Sequence, residues 1–299
     1  MEGLYVWPPP KRKVGISVVI PCSILAVEQS LYEKTILLGF LARALAIFRV
    51  DEILVYVDEE CKDNNVNIIT DVMEYLLTPP YLRKKTISKK ETLRYVGVLP
   101  PLNISTHPSS DEGLDILPFR EGVLLKVRGR YAKVDVGLGE NLIAEIPVDL
   151  IKEVDLRVGS KVYVKVLRKK PLKGVLVTER EVPYYLGFKA SIVKSIDPII
   201  ERLEDPMVLG VLTTKRGDDI SKLVNELGNN FKDILLMFGN YRKDFDELVN
   251  SDESTTLNKL VRVRINTIPI QGVRSVRTVE ALYATLALIN EFIYRHGIH

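Results

Sequence analysis

Five short runs in which apolar and polar residues alternate, punctuated by glycines between about residues 94 and 181, break into a chain otherwise written as strand followed by helix. No single layer of structure accommodates both grammars, so the break constrains the fold more than any other feature. The runs are EGVLLKVRG, YAKVDVGLG, NLIAEIP, SKVYVKVLR and GVLVTER. Alternation of period two marks half-buried strands, and strands this short, separated by regular turn signals, close into a small antiparallel barrel. Ahead of them, residues 14–20 form a β-branched run ended by Pro21, and residues 31–48 carry Leu31, Ile36, Leu38, Leu41, Leu45 and Phe48 at helical spacing. Residues 52–57 read as a continuous apolar strand of the kind buried on both faces of a parallel sheet. Residues 65–77 read as a second helix, stopped by Thr78, Pro79 and Pro80.

After Pro183 the strand–helix alternation resumes. Strands are expected over 187–193, 207–212, 233–238 and 260–266, with helices over 198–203, 218–227, 244–249 and about 277–294. The expected fold class is α/β: residues 1–93 and 182–299 form one discontinuous domain built on a mostly parallel sheet, and residues 94–181 are a barrel inserted into it. The last helix is apolar on most of its circumference (Val279, Ala281, Leu282, Leu286, Leu288, Ile289, Phe292, Ile293), which suits a helix buried on two sides, in a core or in a subunit interface.

Charge adds a partner class. The chain is nearly balanced, with 42 basic and 39 acidic residues, yet residues 120–180 hold 14 Lys or Arg against 8 Asp or Glu. A second cluster, Arg83, Lys84, Lys85, Lys89, Lys90 and Arg94, precedes this basic middle, and Arg168, Lys169, Lys170 and Lys173 close it. Such clusters attract phosphate backbones, and small barrels present basic faces to single strands; a plainly solvated face is the competing reading. Only two glutamines occur, Gln29 and Gln271, a depletion of labile amides that points to a hot habitat.

Several functions are excluded. No apolar run approaches the roughly 18 residues that span a bilayer, so no membrane partner is expected. The terminus MEGLYVWPPPKRKV has its charges on the wrong side of its few apolar residues for a secretory signal, and a cytoplasmic location is expected. Cys22 and Cys61 belong to no CxxC or Cys/His cluster, and with three histidines no metal site is expected; both thiols read as small buried hydrophobes. The segment VDVGLGE at 134–140 lacks the third glycine and the following helix of a dinucleotide fingerprint, so it reads as a barrel turn. No P-loop, GxSxG or HExxH motif occurs.

Three loops carry what remains: LTTKRG at 212–217, MFGNYR at 237–242 and INTIPIQGVRSVRT at 265–278. They follow late strands, and in open α/β sheets ligands bind beyond the carboxyl ends of strands. Each holds a glycine that permits close backbone approach: Gly217, Gly239 and Gly272.

The stretch NTIPIQGVRSVRTVEAL, with LLMFGNYRKD before it and VVIPCSILAVEQSLYEKTILLGFLARALAIFRVDEILVY at the start, resembles the SPOUT superfamily of knotted RNA methyltransferases. Within it the chain resembles the archaeal and eukaryotic branch of uridine N3 methyltransferases in which a small oligonucleotide-binding-like barrel interrupts the knotted domain. The resemblance implies a trefoil knot in the carboxyl-terminal part, a homodimer, and S-adenosyl-L-methionine as cofactor in a pocket made by the knot's loops. Carried over to this sequence, the cofactor residues are Leu212, Thr213, Arg216, Gly217, Met237, Gly239, Asn240, Ile265, Ile268, Pro269, Gln271, Gly272, Val273 and Thr278. For the reaction itself Arg43 comes first, as one charge on an apolar helix face, with Arg274 and Arg277 as alternatives that could instead hold phosphate. Asp218 and Glu280 are candidate bases or helix-start carboxylates. Ribosomal RNA is the expected substrate and tRNA the runner-up; the competing readings are a protein methyltransferase and a non-catalytic RNA- or ribosome-binding protein that keeps the pocket.

Overall fold

The computed structural model describes residues 5–108, 113–152, 156–227 and 231–297. They form two compact units: one of Arg12–Leu76, Lys90–Pro101 and Phe188–His299, the other of Met1–Lys11, Leu77–Lys89 and Leu102–Gly187. Residues 94–101, assigned to the barrel on sequence, fall in the first unit, and 182–187 in the second.

The first unit is a six-stranded sheet in the order β11-β9-β10-β1-β2-β8, with every neighbouring pair parallel. Its strands are β1 (Gly15–Pro21), β2 (Glu52–Tyr56), β8 (Lys189–Val193), β9 (Val208–Asp218), β10 (Asp233–Phe238) and β11 (Val263–Ile265). Both faces of β1 and β10 are buried, which is why their sequences run apolar without alternation. Helix α1 (Leu31–Ile47) starts where expected because Ser30 and Glu33 form a reciprocal capping box, satisfying two backbone donors that would otherwise be orphaned. Along it Leu38, Leu41, Ala42, Ala44 and Leu45 are fully buried, and it packs against α7 (Thr278–Arg295). Helices α4 (Asp197–Glu204) and α6 (Ser251–Leu260) bring Ile199, Leu203 and Leu257 into a cluster with Val19, Leu212, Leu235 and Met237 of the sheet.

Several elements depart from expectation. Strand β9 was expected to end at Leu212, but it continues to Asp218, and the presumed first loop is largely extended chain. Only its first part pairs with β10; near its far end Asp218 is in register with Ile265 of β11. The stretch 244–249 makes only a short 3-10 turn at Phe245–Glu247, and the real helix is α6, begun by Asn250, whose side chain accepts from the Asp252 and Glu253 amides. Among the described residues no helix is long and apolar enough to cross a membrane, and no cluster of potential metal ligands occurs.

Cys22 and Cys61 overturn the reading as isolated thiols: they form a disulfide, with Cα atoms 5.3 Å apart. The reason lies in topology. Because β1 and β2 are adjacent and parallel, with Pro21 opposite Tyr56, the turns beyond both carboxyl ends emerge together. A separation of 39 residues conceals that meeting.

The second unit is a closed barrel in the order β3-β4-β5-β7-β6, made of β3 (Phe119–Arg128), β4 (Tyr131–Leu138), β5 (Glu140–Glu145), β6 (Lys161–Lys169) and β7 (Leu172–Val177). It is antiparallel except at β5–β7, which run parallel. An odd number of strands cannot alternate direction around a closed ring, so one parallel neighbour is forced. The interior is filled by Leu124, Ala132, Val134, Leu142, Ala144, Val164 and Leu176. Pro80, expected only to stop a helix, opens α3 (Pro80–Thr86) at its first turn, where a missing amide costs nothing. The loop-rich stretch 100–118 is partly core: Ser105 donates to the Tyr185 carbonyl, Thr106 to that of Leu186, and His107 is buried. Its residues 109–112, within HPSSDEG, lie outside the described residues.

Candidate functional site

Parallel strands deliver their carboxyl ends to one edge, and at β9, β10 and β11 that edge holds a cavity of about 490 Å³. The volume lies within the usual range for small-molecule sites. Its wall comes from Thr213–Lys215 of β9, from Phe238–Asp244 after β10, from Ile265–Ile268, Gln271 and Arg274–Val276 after β11, and from Thr278 and Ala281 at the start of α7.

Side-chain to backbone hydrogen bonds fix these segments to one another. Thr213 Oγ1 donates to the Met237 carbonyl at 3.0 Å, and Asn266 Nδ2 to the Lys215 carbonyl at 3.0 Å. Ser275 Oγ reaches the Tyr241 carbonyl at 2.7 Å and Thr278 Oγ1 the Gly239 carbonyl at 2.8 Å. The chain leaving β11 therefore returns against the β10 loop before α7 packs on α1. Asn240 is spent on shape: its Oδ1 accepts from the Arg242 and Lys243 amides at 2.8 Å, and its Nδ2 donates to Ser23 Oγ and Glu60 Oε2. Glu60, next to the disulfide, also pairs with Lys243 at 3.0 Å and draws the Lys243 pKa up.

Two of the three glycines do what close packing demands. A Cβ on Gly239 would sit 2.1 Å from the Lys243 carbonyl oxygen, and one on Gly217 would sit 2.5 Å from the Ile265 carbonyl carbon. Gly272 differs: a Cβ there would meet nothing within 4 Å. In that loop the unusual backbone belongs to Ile270, a β-branched residue at φ 55° and 101% exposed. Left-handed backbone in such a residue stores of order 1–3 kcal/mol, and nothing in the residue pattern signalled it.

Of the residues named from sequence, the cavity gathers Thr213, Gly239, Asn240, Ile265, Ile268, Gln271, Thr278 and Arg274. Leu212 and Met237 lie beneath it, fully buried in the sheet core. Arg216 is not in the wall but pairs with the wall residue Asp244 and with Glu247 at 2.9 and 2.7 Å, and these carboxylates, Glu247 first, hold its pKa above the ordinary value. Gly217, Pro269, Gly272 and Val273 are not in the wall. Arg277 pairs with the buried Glu28 at 3.1 Å, and Arg43 donates to the Pro101 carbonyl at 3.3 Å, so neither reaches this cavity. Asp218 pairs with Lys222, and Glu280 caps α7 by accepting from the Arg277 amide. Arg274 is exposed and has no ion-pair partner among the described residues, leaving a guanidinium open on the wall.

A family model described as "Putative RNA methyltransferase" matches residues 15–289. An uncharacterized protein of Haloarcula marismortui is 29% identical over 286 residues, covering 91% of this chain and 98% of its own. The 28S rRNA (uridine-N(3))-methyltransferase of Homo sapiens is 29% identical over 316 residues, covering 96% of this chain and 80% of its own. A solved SpoU methyltransferase, AviRb from Streptomyces viridochromogenes in complex with AdoMet, overlaps 99% of this chain and 64% of its own at 12% identity and a TM-score of 0.40.

Proposed function

The chain belongs to the putative RNA methyltransferase family, and from that membership we propose that it transfers a methyl group from S-adenosyl-L-methionine to a base of RNA, N3 of a uridine in ribosomal RNA. The observation that carries the proposal is the cavity at the ends of β9, β10 and β11, with the exposed guanidinium of Arg274 in its wall. The name of the human relative favours the ribosomal substrate and the uridine.

The residues present fit the cofactor. Apolar wall positions Phe238, Ile265, Ile268 and Val276 can pack on a nucleoside ring while the peptide groups of 238–244 and 265–268 read its edge. S-adenosyl-L-methionine supplies a sulfonium methyl for in-line displacement, chemistry that asks for alignment and exclusion of water rather than covalent help. As the N3 proton leaves a uridine, negative charge spreads to the flanking carbonyl oxygens, and Arg274, which shares the wall with Lys215, Arg242 and Lys243, is the cation assigned to face it. The wall carboxylate among the described residues, Asp244, is already engaged through its Oδ2, which accepts from Thr214 at 2.6 Å and from Arg216 at 2.9 Å. The enzyme thus works by binding and charge stabilisation, with the proton released to solvent.

The chain acts as a homodimer through α1 and α7, where a groove of about 510 Å³ is lined by Val27, Tyr32, Ile36, Leu37, Phe40, Val279 and Tyr283 and rimmed by Glu28, Glu33, Arg277 and Glu280. Tyr32 and Phe40 are 47% and 55% exposed there, an apolar face suited to a second copy. The barrel holds RNA, and the reaction belongs in the cytoplasm with its ribosomal substrate.

The deciding experiment incubates purified chain with ribosomal RNA and methyl-labelled cofactor, then identifies nucleosides by mass spectrometry. Label in methyluridine is expected, and Arg274→Ala should lower kcat far more than cofactor affinity. Label in protein, or none in RNA, would overturn the proposal.

A further inference from the structure

Strand register on the barrel sets Lys126 opposite Lys133, Lys133 opposite Ile143, Ile143 opposite Lys173, and Lys173 opposite Arg168. All five side chains are exposed. One row therefore runs across β3, β4, β5, β7 and β6 on the outer surface with four cations, an isoleucine and no carboxylate. None of the four cations has an ion-pair partner among the described residues, whereas other barrel cations do: Lys85 with Asp135, Lys161 with Glu121, Arg130 with Glu145.

The row is unfavourable to folding. Adjacent strands are about 4.8 Å apart, well inside the Debye length of roughly 8 Å at physiological salt, and like charges directly opposite weaken a sheet. It is also made by departures from regular structure. Leu124 and Val166 face inward, so strict alternation would turn Lys126 and Arg168 inward as well. Register shifts between Leu124 and Lys126 and between Val166 and Arg168 instead insert Leu125 and Leu167 and send both cations out. Bulges re-aim side chains at functional surfaces, and here two bulges on different strands complete one row. Beside it Tyr131, 57% exposed and opposite Arg128, offers a ring face to a base.

We propose that this row holds the phosphates of a single-stranded RNA segment, with Tyr131 stacking on one of its bases. The inference rests on the RNA methyltransferase reading and names the surface that takes the substrate. A single strand is favoured over a duplex because the row follows the curve of a closed barrel, which a flexible backbone can track and a stiff helix can touch on one side only.

The test uses the full chain and a fluorescein-labelled uridine 20-mer, with binding followed by anisotropy from 50 to 400 mM KCl. Replacing Lys133, Arg168 and Lys173 together by Gln should lower the slope of log K against log salt by about 2, since each single-strand phosphate contact contributes about 0.7. At 0.1 M salt that is a loss on the order of 100-fold. Tyr131→Ala should weaken binding on the order of tenfold, the effect of one lost stack. A control with the same charge change on the sheet unit, Lys194, Lys232 and Lys259 to Gln, should keep the slope, as should Lys133→Arg with Lys173→Arg. Equal slope loss in the control, an unchanged slope in the barrel variant, tighter binding of a duplex of the same length, or no binding of the 20-mer by the parent chain would each overturn the assignment. Cofactor affinity by calorimetry and methyl transfer to ribosomal RNA are read in parallel. Transfer that persists with an unchanged slope rejects the row alone, and a lost slope in a chain that transfers no methyl group rejects the enzyme alone.

Discussion

Opening the Cys22–Cys61 bridge should destabilise the sheet unit by about 4 kcal/mol, and the figure follows from topology. The bridge closes a loop of 39 residues, and the chain-entropy relation assigns such a loop about 13 cal/mol/K, or ~4 kcal/mol at 25 °C. The native state already brings the two turns together through the β1–β2 register, so the bridge acts mainly by restricting the unfolded chain. A smaller effect should reach the cavity, because Ser23 and Glu60, each adjacent to a bridged cysteine, both accept from Asn240. The assay is urea unfolding followed by circular dichroism for oxidised chain, reduced chain and the Cys22→Ala, Cys61→Ala double variant. The expected result is one transition, that of the sheet unit, moved to lower urea, by the same amount in the reduced chain and the variant, with the barrel transition unmoved. A difference below about 1 kcal/mol, or a shift confined to the barrel, would refute the reasoning.

Gly239→Ala, whose Cβ would lie 2.1 Å from a backbone oxygen, should raise the Kd for S-adenosyl-L-methionine at least about tenfold through a displaced loop; Gly272→Ala, with open space around it, should leave calorimetric affinity unchanged, and equal effects would refute the wall as described. Burial holds His107 neutral with its pKa down to about 4. The unfolded ring titrates near 6.5, so stability present above that pH is lost as pH falls toward 4, by up to about 3 kcal/mol. Urea midpoints between pH 7 and 5 should show the loss, and His107→Gln should flatten it. Ile270→Asn removes left-handed strain from a fully exposed β-branched residue and should add about 1 kcal/mol, or roughly 2 °C in a thermal melt; an unchanged or lower Tm would count against the strain.

Much of the architecture is legible in the residue pattern. Strand β10 falls where its apolar run says, and all five barrel strands overlap their alternating runs. What escaped depends on partners distant in sequence. The far half of β9 is polar, and its last residue, Asp218, pairs only because β11 runs beside it. The disulfide needs two strands to be neighbours, and the outward turn of Lys126 and Arg168 needs two bulges that no residue type announces. In the site, three loops after strand ends were legible because chain direction in a parallel sheet is. Arg43 stands out as one charge on an apolar helix face, but α1 carries it toward Pro101. Short-range rules also credited Gly272 with a tightness that belongs to Gly217 and Gly239.

Strand β1, completed at Pro21, takes one of its two neighbours from β10, which begins at Asp233. During synthesis at about 5–20 residues per second, the second strand leaves the ribosome roughly 10 to 40 s after the first. For that interval the central strand of the sheet has an unfilled, strongly apolar edge, while the barrel unit, whose last segment ends at Gly187, can be finished. Birth of the molecule is therefore staggered: the barrel unit matures early and the sheet last, and the nascent amino-terminal strand is where a chaperone would first be needed.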